Sequence, residues 1–288
     1  MAARTVRLVD GEREFLLHRA EWPREDVILT NLDAPAPAVR AATQDRTDAD
    51  GTDDATTHHG ARAVSVELTL LDDPMRLVDE LNAFLHPRSR PYLIMDDEAW
   101  ETPRRLRLRV DQFSAPLPRE SHLFVTHQMQ WQAPDGVWEA VDPFEFEVSA
   151  ETTEQVGRIY PFVLPRTYPG AQPTGRVELF NPGSAPSDYK VRLYGPCNGP
   201  RFTDDESGAT IAFTEELSLQ VGEYVEVDTR DRTVFAMSDP DASRLGYLDF
   251  ELSSWWQLQP GQNVLRYNPL SGVDVGCAAA GAFRPRWL

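Results

Sequence analysis

From Arg176 onward the chain is a succession of short strand-like runs cut by turn residues, with no stretch of helical period. The runs are Arg176–Phe180, Tyr189–Tyr194, Ala209–Phe213, Tyr224–Asp228, Arg232–Phe235, Val264–Tyr267 and Ala282–Trp287. Asn181-Pro182-Gly183, Ser207-Gly208, Val221-Gly222 and Pro260-Gly261 punctuate them. Short strands without helices must bury their apolar faces against a second sheet, so this half is predicted to be a β-sandwich. A domain boundary is expected near residue 150, after which this pattern takes over.

The first half is β-rich with one prominent helix. Thr5–Val9 and Glu14–His18 flank the turn signal Asp10-Gly11 and predict a hairpin. Val64, Val66, Leu68 and Leu70 alternate with Ser65, Glu67 and Thr69, a clean period of two. A helix start follows: Asp72 or Asp73 can cap, Pro74 suits the first helical position, and Leu77, Val78, Leu81, Phe84 and Leu85 recur at helical spacing. His86-Pro87 stops it. Tyr92–Met95, Arg104–Phe113 and His122–Trp131 complete the strand pattern, with a turn at Pro134-Asp135-Gly136. Between Asp33 and Gly60 lies a run of Ala, Pro, Thr and Asp too polar to offset the entropy of ordering it, read as a mobile acidic insertion.

Charge narrows the function. The 288 residues carry a formal net charge of −18, which argues against nucleic-acid gripping, because such binding rests on Lys and Arg neutralising phosphates. Lysine is nearly absent, Lys190 standing out, and Arg supplies the positive charge. No apolar run is long enough to cross a bilayer, and no apolar stretch precedes Asp10-Gly11-Glu12 to act as a leader, so no membrane insertion and synthesis in a cytoplasm are expected. Cys197 and Cys277 form no ligand cluster and read as two ordinary buried thiols.

Catalytic, cofactor and metal motifs are missing from the pattern. Asp48–Asp54 lacks the spacing and closing Glu of a calcium loop, and His58-His59 sit in the mobile insertion. His122 and His127, five apart on a strand, point to opposite faces and cannot share a metal. There is no nucleophile elbow and no glycine-rich phosphate loop. Glu226 and Asp228 share a strand face with Tyr224 and form either a carboxylate pair for glycoside hydrolysis or a solvated face, the second being favoured in so acidic a chain. No enzyme and no cofactor are expected.

Four segments carry a resemblance. "LFNPGSAPSDYKVRLYGPC", "LQVGEYVEVDTRDRTVF", "SSWWQLQPGQNVLRYNP" and the terminal "FRPRWL" together resemble the C-terminal domain of the distal tail proteins of long-tailed bacteriophages, the siphovirus-type Dit family. The matching positions are Asn181, Gly222-Glu223 with Asp228-Thr229, and Leu258, Pro260, Gly261 and Asn263. The resemblance implies a mainly β fold: an α+β belt domain over 1–150, carrying the acidic insertion at 33–60, and a galectin-like β-sandwich over 151–288. It implies a ring, a hexamer in the family, at the distal end of the tail tube. Its partners would be further copies, the tail tube protein and the tail-tip or baseplate hub protein, with assembly in the host cytoplasm and residence in the virion. An acidic ring would also repel DNA passing through it.

Two sets of residues are candidates for subunit contacts. Arg105, Arg107 and Arg109 alternate along Arg104–Phe113, which with His122–Trp131 is expected to form edge strands; the arginines pair with acidic neighbours or make a solvated face. Trp255 and Trp256 are adjacent, so in an extended segment they face opposite ways: one fills the core and the other lies at the surface or in a contact. The alternative function is a carbohydrate-binding module with these tryptophans as a stacking platform, which the opposed orientation weakens.

Overall fold

The computed structural model of the 288-residue chain describes residues 3–21, 24–41, 44–45, 50, 52–53, 57–113, 124–150 and 175–288. The chain divides into two compact units, one of Met1–Asp142 with Arg286–Leu288 and one of Pro143–Pro285. In chain order the first strands are β1 (Ala3–Asp10), β2 (Arg13–Arg19), β3 (Val27–Asp33), β4 (Val39–Ala41), β5 (Gln44–Asp45), β6 (Thr52–Asp53), β7 (Thr57–His59) and β8 (Arg62–Leu71). Helix α1 (Pro74–Asn82) follows, then β9 (Tyr92–Asp97), β10 (Arg104–Arg107), β11 (Arg109–Phe113), β12 (Phe124–Ala133) and β13 (Trp138–Ala140). The second unit contains β14 (Phe144–Ser149), β15 (Arg176–Asn181), β16 (Tyr189–Tyr194), β17 (Cys197–Asn198), β18 (Arg201–Asp204) and β19 (Thr210–Ala212). It continues with β20 (Ser218–Leu219), β21 (Tyr224–Asp228), β22 (Thr233–Ala236), β23 (Gly261–Tyr267) and β24 (Ala278–Phe283), and β25 (Arg286–Trp287) closes the chain.

In the first unit a six-stranded sheet, β2-β1-β9-β10-β13-β25, and a four-stranded sheet, β11-β12-β8-β3, share one core. The period-two pattern of β8 decides which face is buried: Val64, Val66, Leu68 and Leu70 are at most 2% exposed, and their neighbours on β12 include Met129 and Trp131. Each such side chain contributes about 1.5–3 kcal/mol by leaving water. Helix α1 adds Leu77, Val78 and Leu81 to this core. Its start differs from the sequence expectation. Asp72 and Asp73 adopt positive φ (43° and 63°), and neither makes a side-chain cap. The strand must turn sharply into the helix there, and Asp is among the few residues that tolerate that left-handed backbone. The helical bonding ends at Asn82, and Phe84 and Leu85 reach the core on tighter three-residue turns from Leu81 and Asn82.

Two strand readings are corrected. Arg104–Phe113 is two strands, because the chain leaves one sheet for the other at Leu108, whose N–H bonds Pro91 O at 2.8 Å. Leu106 and Leu108 stay buried throughout, so the alternation survives while the hydrogen-bonding partners change. Of the segments expected at sheet edges, only β11 is at one; β10 and β12 are interior. Ala282–Trp287 likewise splits. β24 ends at Phe283 in the second unit, and β25 pairs with β13 in the first, Trp138 opposite Trp287. Pro285, which has no N–H to give a ladder, separates them.

Within the acidic insertion the described residues form two short ladders, β4 with β7 and β5 with β6. The first is closed by Gly60 N–H to Ala38 O at 2.7 Å, which places Arg40 opposite His58.

The second unit is a β-sandwich. A five-stranded sheet, β14-β24-β16-β21-β22, and a four-stranded sheet, β15-β23-β18-β19, bury Val191, Leu193, Val225 and Val227 against Phe202, Ile211, Leu265 and Tyr267.

Candidate functional site

The arginine stripe has three fates. Arg105 is engaged within the unit: its guanidinium is 3.3 Å from a Glu139 carboxylate oxygen and 4.5 Å from the centroid of the Tyr92 ring. Glu139 is 8% exposed and also takes Arg286 at 3.2 Å, so one buried carboxylate serves two guanidinium groups. Arg107 is exposed and has no ion pair among the described residues. Arg109, on the edge strand β11, is exposed and donates to Gln132 Oε1 at 2.8 Å. The stripe seen in the sequence is thus spread over two sheets, and only Arg107 and Arg109 face solvent.

The tryptophan pair divides unequally between core and surface. Trp256 is 8% exposed and packs on Tyr189 (centroids 4.6 Å apart) and Phe202 (5.8 Å). Trp255 is half-buried against the edge of the same core. The pair is no stacking platform for a sugar, because one of its rings lies inside the sandwich.

Most positions that carry the family resemblance hold turns. Asn181, 1% exposed, donates to Ser187 Oγ (3.3 Å) and Leu258 O (3.1 Å) and accepts from Gly183 N–H at 3.0 Å. Asn263, 2% exposed, accepts from Gln259 N–H at 2.9 Å and donates to Gln259 O and Gly261 O. Gly222 and Gly261 have φ of 84° and 92°, a conformation open to glycine and costly to other residues. Asp228 Oδ1 accepts the N–H groups of Arg230 and Asp231 at 3.0 and 3.2 Å, and buried Thr229 ties the hairpin to Tyr189 through its hydroxyl. These residues fix loop shape, while the alternating buried faces of the strands set their register.

Other sequence candidates resolve similarly. Glu226 and Asp228 on β21 lie opposite Arg192 and Lys190 on β16: Arg192 Nε is 2.8 Å from Glu226, Lys190 Nζ is 3.1 Å from Asp228, and Ser238 donates to Glu226 at 2.7 Å. Burial alone would raise the Glu226 pKa, but Ser238, Arg192 and Lys190 outweigh it and hold the carboxyl below the usual glutamate range. Such a group stays ionised and is a poor proton donor. His127 is buried on the inward face opposite Leu68, with its pKa lowered by burial, while His122 lies outside the described residues. No group of three metal-ligating side chains occurs among the described residues.

One cluster went unread in the sequence. Arg104 is sandwiched between the Trp100 and Trp287 rings, Trp100 lies 5.8 Å from Trp138, and buried Arg62 donates to Gly136 O (2.9 Å) and Ala34 O (3.1 Å) beside Trp138. Its members are scattered from residue 62 to 287, so no local motif announces it. The cysteines also come into one buried cluster: Cys197 Sγ is 3.4 Å from Tyr267 Oη, and Cys277 influences the same thiol.

Comparison with known proteins now supplies the class. Residues 183–287 match the family model described as siphovirus-type tail component, C-terminal domain. No curated protein matches the chain. Among solved structures, the fold is similar to SPP1 Dit (gp 19.1), described as a paradigm of hub adsorption apparatus in Gram-positive infecting phages, with TM-score 0.66 and 12% identity over 98% of this chain and 99% of that one. It is also similar to chains of the phage P2 baseplate in its activated conformation. The form with Ca gives TM-score 0.54 and 12% identity over 99% and 98% of the two chains, and the form with Sr gives 0.52 and 14% over 97% of each. The family match thus covers the C-terminal part of the chain, and the structural likeness shows a shared fold along its length. The fold from end to end is that of the Dit proteins, as the four sequence segments led one to expect.

Proposed function

We propose that this chain is the distal tail protein of its phage: a non-enzymatic ring, hexameric as the family resemblance implies, joining the end of the tail tube to the tip or baseplate. The observation that carries the reading is the end-to-end likeness to SPP1 Dit, which extends over both units. The net charge of −18 suits a ring through which DNA passes without sticking. Arg107 and Arg109 supply contacts to acidic neighbours around the ring, and β11, at the edge of its sheet among the described residues, carries Arg109. Trp255 contributes a half-buried ring to a contact on the second unit, whereas Arg105 and Trp256 act within the subunit. Cryo-electron microscopy of intact tail tips tests this: a closed ring of this chain at the tube's end is expected. Particles whose tails lack the chain would sink it.

A further inference from the structure

Strand β24 contributes only alanine side chains to the outer face of the five-stranded sheet. Ala278, Ala280 and Ala282 point outward, while Ala279 and Phe283 enter the core. Gly281 lies between them because a Cβ there would sit 2.5 Å from the Phe146 ring and 2.7 Å from Lys190 O. The flanking strands carry long charged side chains in register: Glu145, Ala282 and Lys190 form one row, and Glu147, Ala280 and Arg192 the next. The result is an open trough of about 570 Å³ along β24. Its walls stand two strand spacings apart, about 10 Å.

The walls differ. On one side Lys190 and Arg192 are fixed by Glu226 and Asp228, with Ser238 on Glu226, and Arg192 lies 5.2 Å from the Tyr224 ring. Their remaining N–H donors are held in place rather than free to rotate. On the other side Glu145 and Glu147 are exposed and have no ion pair among the described residues. The trough therefore offers fixed donors along one wall and acceptors along the other, above an apolar floor.

We propose that this trough binds a neutral saccharide chain. A peptide strand has nowhere to pair, because β24 is hydrogen-bonded on both sides, and the alanine floor provides no pocket for an anchoring side chain. An anionic polymer meets four carboxylates against two cations. A neutral polyhydroxylated chain satisfies both walls at once: its hydroxyls accept from Lys190 and Arg192 and donate to Glu145 and Glu147, and its C–H faces rest on the alanine methyls. The site is distinct from the tryptophan pair and does not depend on ring assembly.

The test is an array of immobilised neutral di- to hexasaccharides, with acidic oligosaccharides and Lys-rich peptides alongside, probed with the full chain and followed by calorimetry at up to about 5 mM sugar. At least one neutral oligosaccharide is expected to bind, weakened at least about tenfold by Ala280→Trp, which fills the trough, and by Glu147→Gln, which removes a charged acceptor from an exposed position. Unchanged melting of Glu147→Gln separates lost binding from lost fold if Ala280→Trp is poorly folded. Absence of any neutral-sugar binding, binding indifferent to both substitutions, or a preference for the acidic sugars or basic peptides each overturns the proposal.

Discussion

Arg104 and Trp287 are held face to face, the guanidinium carbon 4.0 Å from the indole centroid, although 183 residues separate them in sequence (287 − 104). Burial lowers the Arg104 pKa, and Asp97 opposes that shift without cancelling it. The group nevertheless stays charged at any ordinary pH and keeps its attraction to the two rings. Trp287→Ala removes one ring of the sandwich and is expected to destabilise the first unit by about 1–3 kcal/mol. Denaturant unfolding of the full chain reads this directly, and an unshifted midpoint for that unit would contradict it.

The two tryptophans of the sandwich should separate sharply by mutation. Trp256→Ala opens a cavity beside Tyr189 and Phe202 and should cost about 3–5 kcal/mol. Trp255→Ala should cost roughly half of that or less, since its ring is only half-buried. Equal losses for the pair would mean that the division between core and surface is misplaced.

Gly281→Ala should destabilise the second unit by about 1–3 kcal/mol through overpacking against the Phe146 ring and Lys190 O. The partner variant Phe146→Leu in the same background should recover part of the loss, a coupling that a double-mutant cycle measures.

Acid sensitivity should trace to Glu226. Its folded-state pKa lies below the unfolded value, so the stabilisation from Arg192, Ser238 and Lys190 is present above about pH 4.3 and is lost as pH falls through the folded pKa. Wild type should exceed Glu226→Gln in stability at pH 7, and the gap should narrow below about pH 4. His127 acts in the same direction in a different window. Buried and neutral, it resists a proton that the unfolded chain accepts below about pH 6.5, so His127→Leu should flatten the loss of stability as pH falls below about 6.5.

The thiols should be inert in the native protein. Cys197 and Cys277 are 2% and 4% exposed, and contact with Cys197 together with burial pushes the Cys277 thiol far above its ordinary range. Labelling with a thiol reagent at pH 8 should proceed only at the rate of unfolding. Rapid labelling of either cysteine in the folded chain would refute this.

What could be read in the sequence followed from local chemistry. The alternation in β8, the Pro74 helix start and the Gly222 and Pro260-Gly261 turns each contain their cause within a few residues, and the structure agrees with them. The resemblance positions were legible for a related reason: Asn181 and Asn263 are tied to turns whose geometry few other residues supply. What escaped was non-local or masked by composition. The switch of sheets at Leu108 leaves the hydrophobic pattern unbroken, so periodicity gives no sign of it. Strand β24 reads as Ala-Ala-Ala-Gly-Ala-Phe, a run with low strand preference that only its two neighbours stabilise. The trough it floors was invisible until Glu147 and Arg192 were known to flank the same alanine.

The pairing of β25 with β13 returns the end of the chain to the unit in which it began. In covalent terms the second unit is an insertion, leaving the first at Asp142-Pro143 and rejoining it at Pro285-Arg286. It hangs from two tethers rather than one. A protease that cuts either crossing leaves the two units linked through the other, with the short β13–β25 ladder as part of the link on the C-terminal side. A chain built this way keeps its second unit attached after a single nick, whereas units joined in simple series would part at the first cut.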